Sequence, residues 1–286
     1  MTAENQSYLQ HITEAADYVR TKLGGVKPSI GLVLGSGLGD LAEKVEGPGY
    51  VPFGEIPHFP VSTVEGHAGR FVAGTLEGKP VIVMQGRFHF YEGYPMQKVV
   101  FPVYVMRMLG VTSVVMTNAA GGMNRSFQAG DLMLISDHIN FTGANPLIGP
   151  NFKELGVRFP DMSEAYDRGY RELAKRLAAG ITSAEGAPLR LQEGVYCGIS
   201  GPAYMTPSEL TMLARLGGDA VGMSTVGEVI AARHAGLKVL GISCITDMAI
   251  GDELEPLTHE QVMATAERTK PMFQSLVRAF VRELAD

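Results

Sequence analysis

The chain has 286 residues, a formal net charge of −6 and a hydrophobic fraction of 45%. This apolar content and modest charge exclude intrinsic disorder, and the acidic balance argues against a general nucleic-acid-binding protein. Glycine contributes 35 residues, about 12% of the chain and well above average usage, without the three-residue period of collagen.

Short β-branched runs alternate with helical stretches, which predicts a single α/β domain over residues 1–286 with a largely parallel sheet covered on both faces. The predicted strands cover residues 30–34, 81–84, 113–117, 132–135, 195–199 and 239–243. The predicted helices cover residues 4–23, 96–109, 163–179, 207–216, 226–235 and 259–284. Pro271 should kink or restart the last helix. The loop at 142–161, rich in Gly, Pro and Asn, is interpreted as a functional excursion.

The two cysteines, Cys197 and Cys244, are too few for a disulfide framework in a chain of this length, which favours a reduced, cytoplasmic setting. The polar N-terminus has no apolar signal core, and no apolar run reaches the ~18 residues of a membrane span. We therefore expect a cytoplasmic protein that contacts neither membrane nor nucleic acid.

Many glycines follow predicted strands directly. The loops concerned are GSGLGD (35–40), QGRFHFYEGY (85–94), NAAGGMN (118–124), SGPAYMTP (200–207), GMSTVGE (222–228) and CITDMA (244–249). One such loop could be a strand-to-helix turn without a ligand. Because ligands of open α/β sheets bind beyond the carboxyl ends of the strands, six loops together predict one site.

Several of these loops carry groups suited to an anion. GSGLG offers unscreened backbone N–H groups and the hydroxyl of Ser36. If the chain is extended at 87–91, Arg87, His89 and Tyr91 share one face, which gives a guanidinium fork, a donor near neutral pH and an aromatic wall. A half-exposed edge strand is the alternative. Ser224 adds a hydroxyl at another strand-to-helix junction.

Other polar side chains remain ambiguous from pattern alone. Met223 could pack on a sugar or in the core, Asp247 could cap a turn, and His67 or His259 could be structural. No His, Cys, Asp and Glu grouping has metal-ligand spacing, and a serine hydrolase elbow is absent, so we expect no metal and no cofactor. The residues therefore predict an enzyme that handles phosphate and a small polar ligand.

At these residues the sequence resembles the trimeric purine nucleoside phosphorylases, from about Ile30 to the last helix. The matching strings are GSGLG, STVEGHAGR, MQGRFHFYEGYP, TNAAGGMN, DLMLISDHIN, RFPDMSEAYD and DAVGMSTVGEVIAARHAGL. The resemblance implies an α/β fold with a mixed sheet and distorted barrel flanked by helices, in place of the plain parallel sheet. It also implies reversible phosphorolysis, in which a purine ribonucleoside and the co-substrate phosphate give free base and ribose 1-phosphate.

Carried over residue by residue, the resemblance implies a site with three parts. Phosphate is held by Ser36, His67, Arg87, His89, the backbone of Ala119, and Ser224. Ribose is contacted by Tyr91, Met223 and His259. The base is contacted by Tyr204, Met205, Val221, Asp247 and, from the neighbouring subunit of a homotrimer, Phe159. His89 and Asp247 are the candidate catalytic side chains.

Two base-site positions depart from the pattern for 6-oxopurines. Met205 stands where the family has Glu, and Asp247 stands where it has Asn. A 6-oxopurine needs an acceptor for N1–H and a donor for O6, whereas a 6-aminopurine offers N6–H₂ to a carboxylate. A buried Asp with a raised pKa could also protonate N7. We therefore hypothesise a preference for adenosine.

The alternatives are a 6-oxopurine phosphorylase and a 5′-methylthioadenosine phosphorylase. The second family shares the Asp but lacks a counterpart of His259, so His259 favours plain nucleosides. A nucleoside hydrolase and a non-catalytic binding module are the competing classes.

Overall fold

One mixed sheet organises the described part of the chain. The computed structural model of the protein describes residues 3–35, 37–61 and 68–284. The strands are β1 (Ile30–Leu34), β2 (Glu46–Pro52), β3 (Arg70–Leu76), β4 (Lys79–Gln85), β5 (Ser113–Gly122), β6 (Leu132–Phe141), β7 (Leu191–Ile199), β8 (Ala220–Gly222) and β9 (Lys238–Met248). The helices are α1 (Ala3–Lys22), α2 (Met96–Val99), α3 (Phe101–Met108), α4 (Arg168–Ala178), α5 (Pro207–Arg215), α6 (Val226–His234) and α7 (His259–Glu283).

The strand order is β2-β3-β4-β1-β5-β8-β7-β6-β9, and β9 also pairs with β5, so the last five strands close into a barrel. Strand β1 is parallel to β4 and β5, and β5 is parallel to β9. The pairs β2–β3, β3–β4, β5–β8 and β6–β9 are antiparallel. The mixed sheet with a barrel is therefore confirmed, and the plain parallel sheet was wrong.

Every strand that the sequence pattern predicts is present in the structure, but three further strands were not predicted. The edge strand β2 contains two glycines and two prolines, which weaken any strand pattern. Strand β3 was also not predicted, and β8 is only three residues long. These misses account for the antiparallel pairs that involve β2, β3 and β8, whereas the antiparallel pair β6–β9 joins two predicted strands.

The helix predictions need three corrections. The predicted helix at 96–109 is split into α2 and α3 at Val100, with Pro102 in the first turn of α3. The helix predicted from 163 begins at Arg168, where the Asp167 side chain accepts a hydrogen bond from the backbone of Tyr170. Helix α7 runs through Pro271 without the restart that was one of the two predicted outcomes, and apolar side chains on both sides of the proline are buried.

Three further expectations concern the whole chain. Cys197 and Cys244 are both free and buried. Among the described residues, no helix is long and apolar enough to cross a membrane. Residues 142–167 form neither helix nor strand, as expected for the loop at 142–161.

A glycine in β7 sets how closely α6 approaches the barrel. A Cβ atom added at Gly198 would lie 2.5 Å from Cγ2 of Val226, the first residue of α6. Side-chain atoms do not tolerate this separation, so only glycine allows the contact. The start of α6 therefore rests directly on β7, immediately after the loop that contains Ser224.

We expect Gly198→Ala to destabilise the protein by about 1–3 kcal/mol, because the added methyl group overpacks this contact. Urea unfolding with an unchanged m-value measures the effect. The control is Gly54→Ala, where an added Cβ meets nothing within 4 Å. The control should change stability by less than about 1 kcal/mol. Equal stability of the two variants would contradict the packing argument.

Candidate active site

A cavity of about 320 Å³ lies beyond the carboxyl ends of β5, β7 and β9, and it collects most of the predicted site residues. Its lining includes Arg87, His89, Tyr91, Ala119, Tyr204, Met205, Val221, Met223, Ser224, Asp247 and His259. Ser36 and His67 lie outside the described residues. Phe159 does not line the cavity of its own chain and is 87% exposed.

The sequence missed further lining residues. Asn118 comes directly before Ala119 in the loop NAAGGMN, and Thr246 comes directly before Asp247 in the loop CITDMA. Both lining residues could therefore have been predicted from the same loops. Residues 254–257, just before α7, carried no motif that could have indicated them. The interpretation of 87–91 as extended is corrected at Phe90, where a 3₁₀ turn begins, although Arg87, His89 and Tyr91 still share the cavity.

Strands β5 and β9 bring the base end of the cavity together. They run in parallel register until a shift between Ala120 and Gly121, after which Gly121 pairs with Asp247. A Cβ on Gly121 would lie 2.9 Å from Ala249 Cβ and 3.1 Å from Asp247 Oδ2. Glycine is therefore required for the carboxyl group of Asp247 to lie against β5.

Arg87 is only 1% exposed, and its charge is neutralised by Glu228 in α6. The guanidinium Nη2 donates to Glu228 Oε2 at 2.9 Å and Nε donates to Oε1 at 3.3 Å. Nη1 donates to the carbonyl oxygen of Thr117 at 2.5 Å. Buried charges are stable only when paired and hydrogen-bonded, so Glu228 holds the cation of the site in place. Sequence reasoning did not identify Glu228.

His89 is buried beside Arg87, and a neighbouring carboxylate fixes its ring. Glu92 Oε1 lies 3.2 Å from His89 Nδ1 and accepts from the His89 backbone N–H at 2.7 Å. The ring stacks on Tyr91, with centroids 4.7 Å apart and planes at 16°. Burial raises the pKa of Tyr91 to about 12, so its phenol stays protonated at neutral pH. This wall therefore presents the Tyr91 hydroxyl as a hydrogen-bond donor to the cavity.

Around Asp247 the cavity is lined mainly by apolar side chains, with the phenol of Tyr204 close to the carboxyl group. Met205 and Met223 pack on a buried cluster that includes Ile199 and Val221. Burial raises the pKa of Asp247, and the Thr246 hydroxyl, which donates to Asp247 Oδ1 at 2.7 Å, opposes that rise. A carboxyl group in such surroundings is more easily protonated than one in water.

The two ends of the cavity differ in chemistry. One part of the lining presents a buried guanidinium, an imidazole and the Ser224 hydroxyl, and another presents Met205, Met223 and the carboxyl group of Asp247. Within the described ranges, no group of three His, Cys, Asp or Glu side chains could hold a metal ion. The arrangement suits a ligand with an anionic end and a planar, weakly polar end.

Comparison with known proteins shows the family of this chain. Residues 29–282 match the phosphorylase superfamily. Purine nucleoside phosphorylase 1 of Geobacillus stearothermophilus is 58% identical over 274 residues, which cover 96% of this chain and 97% of the relative. Isoform 2 of the Schistosoma mansoni purine nucleoside phosphorylase, in complex with cytosine and ribose-1-phosphate, has a TM-score of 0.90 at 43% identity, covering 96% of this chain and 97% of that one. A Schistosoma mansoni purine nucleoside phosphorylase in complex with adenosine has a TM-score of 0.89 at 41% identity, covering 97% and 98%.

The raised pKa of Asp247 has a consequence for stability. The folded protein binds this proton more tightly than the unfolded chain, whose Asp titrates near 3.8. The ionised side chain therefore costs stability as the pH rises from that value through the raised folded pKa. We expect Asp247→Asn to increase the free energy of unfolding near neutral pH and the gain to shrink towards pH 3.8.

Urea unfolding at a series of pH values measures this difference. Asp137→Asn, on the exposed part of β6, controls for the loss of one carboxyl group from the protein as a whole. A stability gain for Asp247→Asn that grows as the pH falls would have the wrong sign and would contradict the burial argument.

Proposed function

Because the chain belongs to the phosphorylase superfamily and is a purine nucleoside phosphorylase, we propose that it prefers 6-aminopurine nucleosides, adenosine above all, over inosine and guanosine. The reaction transfers the ribosyl group of a purine nucleoside to phosphate. The observation that carries the proposed preference is the pair Met205 and Asp247 at the apolar end of the cavity.

The base end discriminates by hydrogen-bond direction. A 6-oxopurine presents an N1–H donor and an O6 acceptor, and the Met205 thioether is a poor partner for N1–H. If Asp247 is ionised, its oxygen lone pairs face the lone pairs of O6, so no hydrogen bond forms between them. A 6-aminopurine has no proton on N1 and donates from N6–H₂, which suits a carboxylate. A lost or mismatched partner in a buried site costs about 1–3 kcal/mol.

The anionic end is assigned to phosphate. Arg87, His89, Ser224 and the backbone N–H of Ala119 line this part of the cavity, and Ser36 and His67 belong to the same proposed set. The bond between C1′ and N9 stretches and positive charge develops on the sugar. The phosphate anion stabilises that charge and then attacks C1′. The proposal requires phosphate as co-substrate and no further cofactor.

The departing purine gathers negative charge, and Asp247 is assigned to relieve it at N7. Burial raises the pKa of this carboxyl group, so a larger fraction of it carries a proton for N7 than in an exposed aspartate, while its second oxygen accepts from N6–H₂. Tyr91 and Met223 are assigned to ribose. His259, at the start of α7, is assigned to the 5′-hydroxyl, which disfavours 5′-methylthio substrates.

A homotrimer is the proposed assembly. Phe159 is 87% exposed, and Val157 and Ile148 nearby in sequence are 64% and 70% exposed. Three large apolar side chains in one loop favour an interaction surface. We assign Phe159 to the base site of a neighbouring subunit.

Phosphorolysis rates on adenosine, inosine and 5′-methylthioadenosine, with and without phosphate, test substrate and reaction class together. We expect adenosine to be preferred and cleavage to require phosphate. Asp247→Asn should move the ratio of kcat/KM values towards inosine by about tenfold or more, because its amide can donate to O6.

Met205→Leu serves as the matched control, since it keeps an apolar side chain of similar volume and should leave the substrate ratio unchanged. Inosine clearly outperforming adenosine in the parent enzyme would refute the preference. Cleavage without phosphate would indicate a hydrolase instead.

Phe159→Ala tests the shared site. We expect the nucleoside KM to rise by about tenfold, with the phosphate KM unchanged, because only the base contact is lost. Leu216→Ala removes another exposed apolar side chain, at the end of α5, and should change neither constant. Sedimentation of the parent enzyme as a fully active monomer would rule out the assignment.

A further inference from the structure

One buried carboxylate contacts both elements that carry the anion-binding groups. Glu228 accepts from Arg87 Nη2 and Nε, and its Oε2 also accepts from the backbone N–H of Thr225 at 3.0 Å. Arg87 follows β4, whereas Thr225 is the residue before α6. The carboxylate, 141 residues from Arg87 in sequence, therefore joins the two segments at the wall of the cavity.

The turn that Glu228 holds is strained. Thr225 has φ 74° and ψ −51°, a left-handed conformation that is costly for a β-branched residue. The backbone N–H of Val226 donates to the carbonyl of Ser224 at 2.8 Å, which closes a three-residue γ-turn around Thr225. Such a turn persists only when its surroundings hold it.

Two side-chain contacts complete the support. Asn118 Nδ2 donates to Thr225 Oγ1 at 2.9 Å, and the hydroxyls of Thr225 and Ser224 lie 3.0 Å apart. The strained turn is thus fixed through its backbone by Glu228 and through its side chain by β5. The position of the Ser224 hydroxyl follows from both contacts.

Electrostatic repulsion of an anionic ligand disfavours a carboxylate at position 228. A negative charge beside an anion site repels the anion, so Glu228 taken only as a charge would weaken phosphate binding. The contacts of Glu228 indicate that it orients neighbouring groups. The Nε and Nη2 edge of the guanidinium is engaged by Glu228, which sets the plane of the side chain.

We propose that Glu228 is a positioning residue for phosphate capture: its carboxylate orients Arg87 and holds the strained turn that carries Ser224, so that both groups are preorganised together. The proposal rests on the function proposed above, in which this end of the cavity binds phosphate. The effect of Glu228 on the reaction passes through Arg87 and Ser224, and Glu228 itself does not contact substrate.

Glu228→Gln separates positioning from charge because the two predict opposite signs. Loss of a repulsive charge alone would lower the phosphate KM. Loss of positioning raises it, and we expect a rise of about tenfold or more, since small displacements of binding groups are costly. The nucleoside KM should stay within about twofold, because the base end of the cavity is untouched.

Glu228→Asp provides the second variant. It keeps the charge but is one methylene shorter, so it cannot hold Arg87 and the Thr225 N–H together. We expect its phosphate KM to rise as well. Phosphate-induced stabilisation in thermal melts gives a second readout for any variant that folds but is inactive, and it should be weaker than in the parent enzyme.

Asp131→Asn is the matched control. Asp131 is also fully buried and paired with an arginine, Arg190, at 2.7 Å, but it does not line the cavity. This variant should lose stability and keep the parent phosphate KM. A folded Glu228→Gln or Glu228→Asp enzyme with an unchanged or lowered phosphate KM would overturn the positioning proposal. Phosphate-independent cleavage by the parent enzyme would instead refute the proposed function.

Discussion

The buried ion pair between Arg87 and Glu228 is the interaction on which the site depends. A guanidinium that is only 1% exposed is tolerable in the free protein because a carboxylate and a backbone carbonyl satisfy it. The pair also connects the segment after β4 to α6 across the sheet. The cation needed for an anionic ligand is therefore present, paired and oriented before the ligand arrives, which reduces the ordering cost of binding.

The closed barrel supplies the other half of the site. Pairing of β9 with both β5 and β6 brings the carboxyl ends of β5 and β9 side by side. The register shift after Ala120 then lets Asp247 lie against Gly121. The cavity therefore holds a paired cation, Arg87, in one part of its lining and the partly buried carboxyl group of Asp247 in another.

Much of this arrangement could be predicted from local sequence, but part of it depends on contacts between distant segments and could not. The glycine-rich loops after strands indicated the cavity because glycine permits close backbone approach, and Gly121 and Gly198 show that requirement directly. Strand β2 and the split at Val100 were missed because tertiary pairing and a proline outweigh local pattern there. Glu228 was missed for a different reason. It is the last residue of the loop motif GMSTVGE, but nothing in that motif links it to Arg87, and only the three-dimensional contact across 141 residues gives it a role.

Met205 and Asp247, the two base-site residues that depart from the family pattern, are best explained together. A glutamate at position 205 would add a carboxyl group to the part of the cavity where Asp247 lies. Like charges in a low-dielectric site raise each other's pKa and destabilise the ionised pair. Met205 removes that conflict, so that Asp247 meets only burial and the Thr246 hydroxyl. Under the proposed function, the methionine is therefore more than a lost partner for N1–H, because it leaves Asp247 without a competing carboxyl group at position 205.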